Sequence, residues 1–392
     1  MSRAALGRAE PAAAAQMSGL LVGAAGMFAT MYSTQAILPV LRRHFGVSPS
    51  QAGLTISVVV ISVALAGWVW GPVSDRIGRE RSLTLASALL VVPTIGTALA
   101  PTFGALLLFR VLQGLCMPGL LIVGVPYVAE VFTPRLGGRA MGYYVGGLFA
   151  GGVIGRVGVG LATAAVGWRT ALGALALLPL GGAAVMHRTL PRAPAPRRSG
   201  RQLGAVSTQL RNWRVLRPAF AASALFFAFV GTFSYATFRL TQPPFDFGTG
   251  TASLVFALWA LGVVAPPAGR LADRIGWRRT STAGLLCSAA GVLLSLPASL
   301  ASLVPALALV LLGMFTGVTA AQLGVSAAGE VDRGVASAVY FSLYYLAGAL
   351  AGFVPGLAWQ SWAWPGVAAL ALGVLAVGLT ALLVGAPRGR AG

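Results

Sequence analysis

The chain contains no lysine, and charge of either sign is scarce: 9% of its 392 residues are charged, against roughly 25% in an average soluble domain. All 28 basic residues are arginine and only eight carboxylates oppose them, which leaves a formal charge of +20. Cysteine and histidine occur twice each, as Cys116, Cys287, His44 and His187. Without C-x-x-C or His spacing they build neither a disulfide framework nor a metal site. H-E-x-x-H, G-x-S-x-G and a phosphate-binding loop are missing, which argues against an enzyme and against ATP drive within this chain. No cofactor and no metal is expected. The arginines are scattered and no base-reading motif accompanies them, so nucleic acid is excluded as a partner.

What is present is apolar length: 57% of the residues are hydrophobic. A helix needs roughly 20 apolar residues to cross a bilayer, and twelve such runs fall near 17–40, 51–71, 82–100, 104–130, 140–163, 168–187, 218–240, 250–268, 281–297, 301–325, 336–357 and 363–385. The first is too long for the apolar core of a secretory signal, and eleven more follow it. The sequence is therefore read as an all-α membrane protein of twelve transmembrane helices. A head (1–16) precedes a six-helix bundle (17–188), a linker (189–217), a second six-helix bundle (218–386) and a tail (387–392).

Basic residues near membrane ends stay in the cytoplasm. With both termini inside, the cytoplasmic segments hold 22 arginines and the outer ones four, Arg42, Arg43, Arg169 and Arg239. That asymmetry implies that both termini are cytoplasmic. The linker begins with Pro191, Pro194 and Pro196 beside Arg197 and Arg198, a composition that cannot build a core. Its second part places Leu203, Val206, Leu210, Trp213 and Leu216 at helical spacing among arginines. It reads as an amphipathic helix on the membrane face, or as a solvated basic connector.

The halves repeat each other. Gly71-Pro72-Val73-Ser74-Asp75-Arg76-Ile77-Gly78-Arg79-Glu80-Arg81 after the second run matches Gly269-Arg270-Leu271-Ala272-Asp273-Arg274-Ile275-Gly276-Trp277-Arg278-Arg279 after the eighth, with six identities in eleven positions. Two similar halves of six parallel-related helices are the pattern of a transporter that alternates access to a central site.

On these residues the chain resembles the major facilitator superfamily, whose signature loop the Gly71–Arg81 segment is similar to. Arg110-Val-Leu-Gln113-Gly114 in the fourth run resembles the second signature of the proton-coupled drug-efflux branch. Gly147-Leu-Phe-Ala-Gly151-Gly152-Val-Ile-Gly155 resembles that branch's antiporter motif, with Gly152 where the pattern has proline and Arg156 where it has a closing glycine. The resemblance implies two pseudo-symmetric six-helix bundles and a small-molecule substrate, with protons as coupling ion and efflux as direction. Twelve helices form a complete unit, so a monomer in the lipid bilayer is expected.

The physical reading of the loop assigns Gly71 and Gly78 to a crowded turn. Asp75 is placed at a helix N-terminus, whose dipole favours an anion. By the repeat, Asp75 faces the start of the eleventh run near Gly334 and Asp273 faces the start of the fifth near Gly138. Gly71, Asp75, Arg76, Gly78, Arg81, Asp273, Arg274 and Gly276 are then a conformational latch, the alternative being that the basic residues only obey topology.

Arg110 and Arg156 lie inside runs, where an ion is expensive and usually faces a cavity or a partner. No carboxylate sits in the middle of any run. Tyr32 and Gln35 fall at the same depth, so the partners are read as neutral and an anion, or the electron-rich part of a ligand, completes the site. Two plainer readings stay open: Arg110 ties Gln35 and backbone carbonyls together, and Arg156 snorkels to the surface. In the second half Tyr340 and Tyr344, four apart, are candidates for one face of the cavity. Export in exchange for protons is the leading expectation, followed by import or uniport of an organic anion, and then by an embedded enzyme or structural protein.

Overall fold

The computed structural model describes residues 3–132, 134–192, 204–328 and 333–384, and among them every regular element is helical. Among the described residues nine helices are long and apolar enough to cross a bilayer: Ala13–Phe45, Pro49–Ile77, Arg79–Leu99, Phe103–Val131, Leu136–Val166, Trp168–Thr189, Trp213–Leu240, Leu300–Ala328 and Gly334–Leu383. The last is two spans, because Trp362 (φ −135°, ψ 17°) and Ala363 (φ 48°, ψ −139°) leave helical geometry just before Pro365. Thr249–Gly262 and Ala265–Ile275, bent by 46°, form another. Trp277–Leu294, with Arg278 and Arg279 in its first turn, is the remaining one. The fold is all-α with twelve helices, and each apolar run of the sequence coincides with one of them.

The linker departs from the sequence reading. A short helix covers Gly204–Arg211 and stops at Asn212, whose side chain accepts a hydrogen bond from the Arg214 N–H at 3.1 Å. Asparagine is a preferred N-cap, so a new helix begins at Trp213 and runs to Leu240. Trp213 and Leu216 thus belong to the seventh span, not to the amphipathic helix. Pro194, Pro196, Arg197, Arg198, Leu203, Glu330 and the tail 387–392 lie outside the described residues.

The chain forms two compact units, one built mainly from the first six spans and one from the last six. The first unit also takes in Phe247–Ala257, and the second takes in Ser48–Gly53. In the first unit the fifth span lies directly on the first. A methyl group added at Gly147, Gly151 or Gly155 would collide with the carbonyl of Leu21, Ala25 or Ala29 in turn. Small residues every four positions let two backbones touch, the usual device where lipid removes any hydrophobic drive between helices. The fourth span breaks at Pro118, and side chains take up carbonyls beside the break. The Trp70 indole donates to Leu115 O at 2.7 Å and the Tyr144 hydroxyl to Leu120 O at 3.0 Å.

In the second unit the seventh span is the buried centre. Its Tyr235 hydroxyl donates to the Gly352 carbonyl at 3.0 Å. The ninth and tenth spans meet at Gly284, Gly313 and Gly317, with Ser281 donating to Gly317 O at 3.2 Å and Ser288 to Val310 O at 3.1 Å.

The sequence repeat has a conformational counterpart. Gly78 (φ 94°, ψ 148°) ends the second span and starts the third, and Gly276 (φ 89°, ψ 146°) ends the eighth and starts the ninth. That backbone region is essentially closed to other residues, which explains why glycine stands at both positions. Arg169 and Arg239 also correspond. Arg169 donates to Ala100 O at 2.9 Å at the end of the third span. Arg239 holds the Ser295, Leu296 and Pro297 carbonyls at the end of the ninth. Each supplies a cation to a helix C-terminus, where the dipole favours it.

Candidate functional site

The first span does not cross as one regular helix: α-helix ends at Met31, a turn covers 32–34, and a 3₁₀ turn at Gln35–Ile37 leads into Leu38–Phe45. At the break the Gln35 N–H bonds to Tyr32 O at 3.0 Å instead of reaching back to Met31 O. Arg110 of the fourth span supplies the missing donor. Its Nη2 donates to Met31 O at 2.6 Å, Nη1 to Thr30 O and to Gln113 Oε1 at 2.8 Å each, and Nε to Thr55 O of the second span at 2.8 Å. Gln113 passes the chain on, Nε2 to Thr94 Oγ1 of the third span at 3.2 Å. Thr55 Oγ1 donates to Thr34 Oγ1 at 3.0 Å. One fully buried guanidinium thus joins four spans through neutral acceptors. Hydrogen bonds made by an ion are about twice as strong as neutral ones.

Arg156 is equally buried. The fifth span widens there into a π-turn, Ile154–Gly158, flanked by Pro134–Val153 and Val159–Val166. A single π-turn inside an α-helix shifts the side chains on either side and is frequent at functional sites. Arg156 Nε donates to Gln35 Oε1 at 2.7 Å and Nη1 to Gly152 O at 3.0 Å. Its guanidinium lies 4.2 Å from the centre of the Tyr32 ring and 5.8 Å from that of Phe256, both cation–π distances.

The structure therefore brings Tyr32, Gln35 and Arg156 into one cluster and Arg110 with Gln113 into another. Gln35 accepts from Arg156 and not from Arg110, which the sequence reading had paired with it. The reason is the break at 32–34, which gives Arg110 main-chain acceptors. Arg156 is turned to Tyr32 and Gln35 rather than extended toward the surface. Gly147, Gly151 and Gly155 face the first span as packing residues, while Gly152 contributes its carbonyl to Arg156.

Tyr340 and Tyr344 belong to the second unit. Their rings stack with centroids 5.9 Å apart, and Tyr344 stacks on Phe226 at 4.0 Å. Tyr340 is fully buried, with the Gln322 side chain beside its hydroxyl. Asp75, Arg76 and Arg81 are exposed around the Gly78 turn, and Gly71 is half-buried. Asp273 and Arg274 are likewise exposed beside Gly276. Next to the Gly78 turn Arg79 Nε pairs with Glu130 Oε2 at 2.6 Å. That ion pair ties the third span to the fourth.

Thr30, Met31, Thr55 and Phe256 were missed from the sequence. Three of them act through carbonyls or hydroxyls of ordinary span residues, and only the clustering of Thr30, Ser33 and Thr34 at one level of the first span gave any signal.

The sequence model of the Major Facilitator Superfamily matches residues 20–352. The inner membrane transport protein YnfM of Escherichia coli is 32% identical over 363 residues, covering 91% of this chain and 86% of the relative. An uncharacterized MFS-type transporter of Bacillus subtilis, YybF, is 28% identical over 359 residues, with 90% and 88% covered. Among solved structures, the nucleoside transporter NupG superposes with a TM-score of 0.76 at 14% identity, covering 94% of this chain and 99% of that one. A bacterial homologue of the lysosomal transporter Spinster gives 0.74 at 16% identity, with 95% and 94% covered.

Proposed function

We propose, from the premise that this chain belongs to the major facilitator superfamily and is a membrane transporter rather than an enzyme, that it exports a small organic compound in exchange for protons. Arg156 then contacts the ligand and Arg110 holds the helices that position it. The observation that carries the reading is the Arg156 cluster. A guanidinium at a π-turn, set against a tyrosine ring, a glutamine amide and a glycine carbonyl, suits an anionic or electron-rich group on the ligand. Arg110 already has four short bonds to neutral acceptors, which supports a positioning role. Asp75 and Asp273, exposed beside turns of the same conformation, are proposed as parts of a conformational latch. Both termini are placed in the cytoplasm of a bacterial inner membrane, in accord with the distribution of arginine.

A second reading has its own observation. No carboxylate or histidine lies in the middle of a span, and arginine does not release its proton in proteins. Together with Gly152 and Arg156, which depart from the antiporter pattern, this favours facilitated movement of an organic anion without proton exchange. Proteoliposomes separate the two. With a pH gradient imposed at clamped membrane potential, exchange predicts uphill accumulation of a substrate and a matching proton flux. Accumulation that follows membrane potential and ignores the pH gradient would establish the anion uniporter instead.

A further inference from the structure

The starts of the seventh and ninth spans, Trp213–Leu240 and Trp277–Leu294, open on one cavity of about 450 Å³ in the second unit. Trp213, Arg214, Arg217, Trp277 and Arg278 line it, with Gly324 of the tenth span against the Trp277 ring. Neither helix has an acidic residue in its first turn, so two helix N-termini and three arginines add positive potential at one place. Arg217 and Arg278 are close enough to repel each other. Among the described residues no ion pair relieves any of the three, and Arg217 Nε is buried without a hydrogen-bond partner. The guanidinium groups of Arg217 and Arg278 lie 5.8 Å and 5.5 Å from the ring centres of Trp213 and Trp277. Like charges gathered in one cavity repel each other and attract an anion.

Beside this cavity runs an apolar groove of about 570 Å³, lined by Phe220, Ala376, Val377 and Ala381 among others. Trp213 borders both. A basic cavity that continues over a tryptophan into an apolar groove has the form of a molecule with a phosphate head and a hydrocarbon chain. Tryptophan is also the residue favoured at headgroup level. We propose that this is a binding site for an anionic phospholipid, with the phosphate on Arg214, Arg217 and Arg278 and an acyl chain in the Phe220 groove. The site shares no residue with the Arg156 cluster and requires neither a particular substrate nor a direction of transport.

Native mass spectrometry of the purified full-length chain tests it, using phosphatidylglycerol, phosphatidylcholine with the same acyl chains, and glycerol phosphate without chains. One phosphatidylglycerol molecule is expected to be retained at least about tenfold better than phosphatidylcholine. Arg217→Gln combined with Arg278→Gln removes that preference, whereas Arg42→Gln combined with Arg43→Gln, which deletes the same charge elsewhere, keeps it. Ala376→Trp, an exposed substitution that fills the groove, weakens retention of the lipid by a similar factor. Equal retention of the two lipids overturns the proposal, as does a double variant at Arg217 and Arg278 that still prefers phosphatidylglycerol. It is equally overturned if glycerol phosphate binds as well as the lipid, because the site then takes a soluble anion.

Discussion

Arg110 and Arg156 are both fully buried, yet their surroundings give them different work. Arg110 spends its donors on Thr30, Met31, Thr55 and Gln113, so its removal takes from the Met31 carbonyl the donor that the break in the first span withholds. Lysine has the charge but not the planar fork of donors. Arg110→Lys is expected to leave at least one buried carbonyl unpaired, at about 1–3 kcal/mol for each group. A lower melting temperature of the purified protein and loss of transport would be seen together, and an unchanged melting temperature would remove the positioning role. Arg156 is bonded to Gln35 and Gly152 and stacked on Tyr32. Arg156→Gln is expected to raise KM by about tenfold, which corresponds to about 1.4 kcal/mol, while kcat changes little. This is the signature of lost ground-state and transition-state binding alike. Unchanged kinetics would assign Arg156 to packing.

Elements record the duplication more clearly than single side chains do. Gly78 and Gly276 turn the chain with nearly the same dihedral angles between successive spans. A side chain in that region costs about 1–3 kcal/mol. Nothing lies within 4 Å of a methyl group added at Gly276, whereas Glu80 is close to Gly78. Gly276→Ala therefore reads backbone strain without steric clash: we expect a loss of thermal stability of that size, and no loss would argue that the turn relaxes freely. The turns were legible because their cause, a positive φ, selects a residue type that the sequence displays twice. The break in the first span was not. Tyr32, Ser33, Thr34 and Gln35 are compatible with continuous helix, and what opens it is a guanidinium that arrives from about 80 residues away in sequence. The π-turn at Ile154–Gly158 was hidden for the same reason, since its glycines also fit plain helix packing. At Asn212 the apolar stripe of the sequence continues through Trp213 and Leu216 and masks the boundary.

For the whole molecule, hydropathy sufficed to find twelve helices, because the bilayer thickness fixes the length of an apolar run. The charge asymmetry carries the orientation. It leads to two expectations about the working protein. Asp75→Asn preserves size and hydrogen bonding but removes a charge worth about 0.3–1 kcal/mol at an exposed helix N-terminus. Conformational states separated by a few kcal/mol respond to such a change, so transport is expected to slow while expression and insertion are kept. Wild-type turnover would leave Asp75 as a surface residue only. The orientation itself is open to direct test through the segment from Arg188 to Arg217, whose eight arginines dominate the count. In a background lacking Cys116 and Cys287, Ser199→Cys is expected to react with a membrane-impermeant maleimide in inside-out vesicles and to stay unlabelled in intact cells. Arg43→Cys, between the first and second spans, should show the opposite pattern. Twelve spans require the two sites to lie on opposite sides whichever way the protein is inserted, so a reversal of both results would invert the orientation and keep the helix count. Labelling of both from one side would contradict the count itself, since three, five or seven crossings separate sites on opposite faces and only an even number separates sites on the same face.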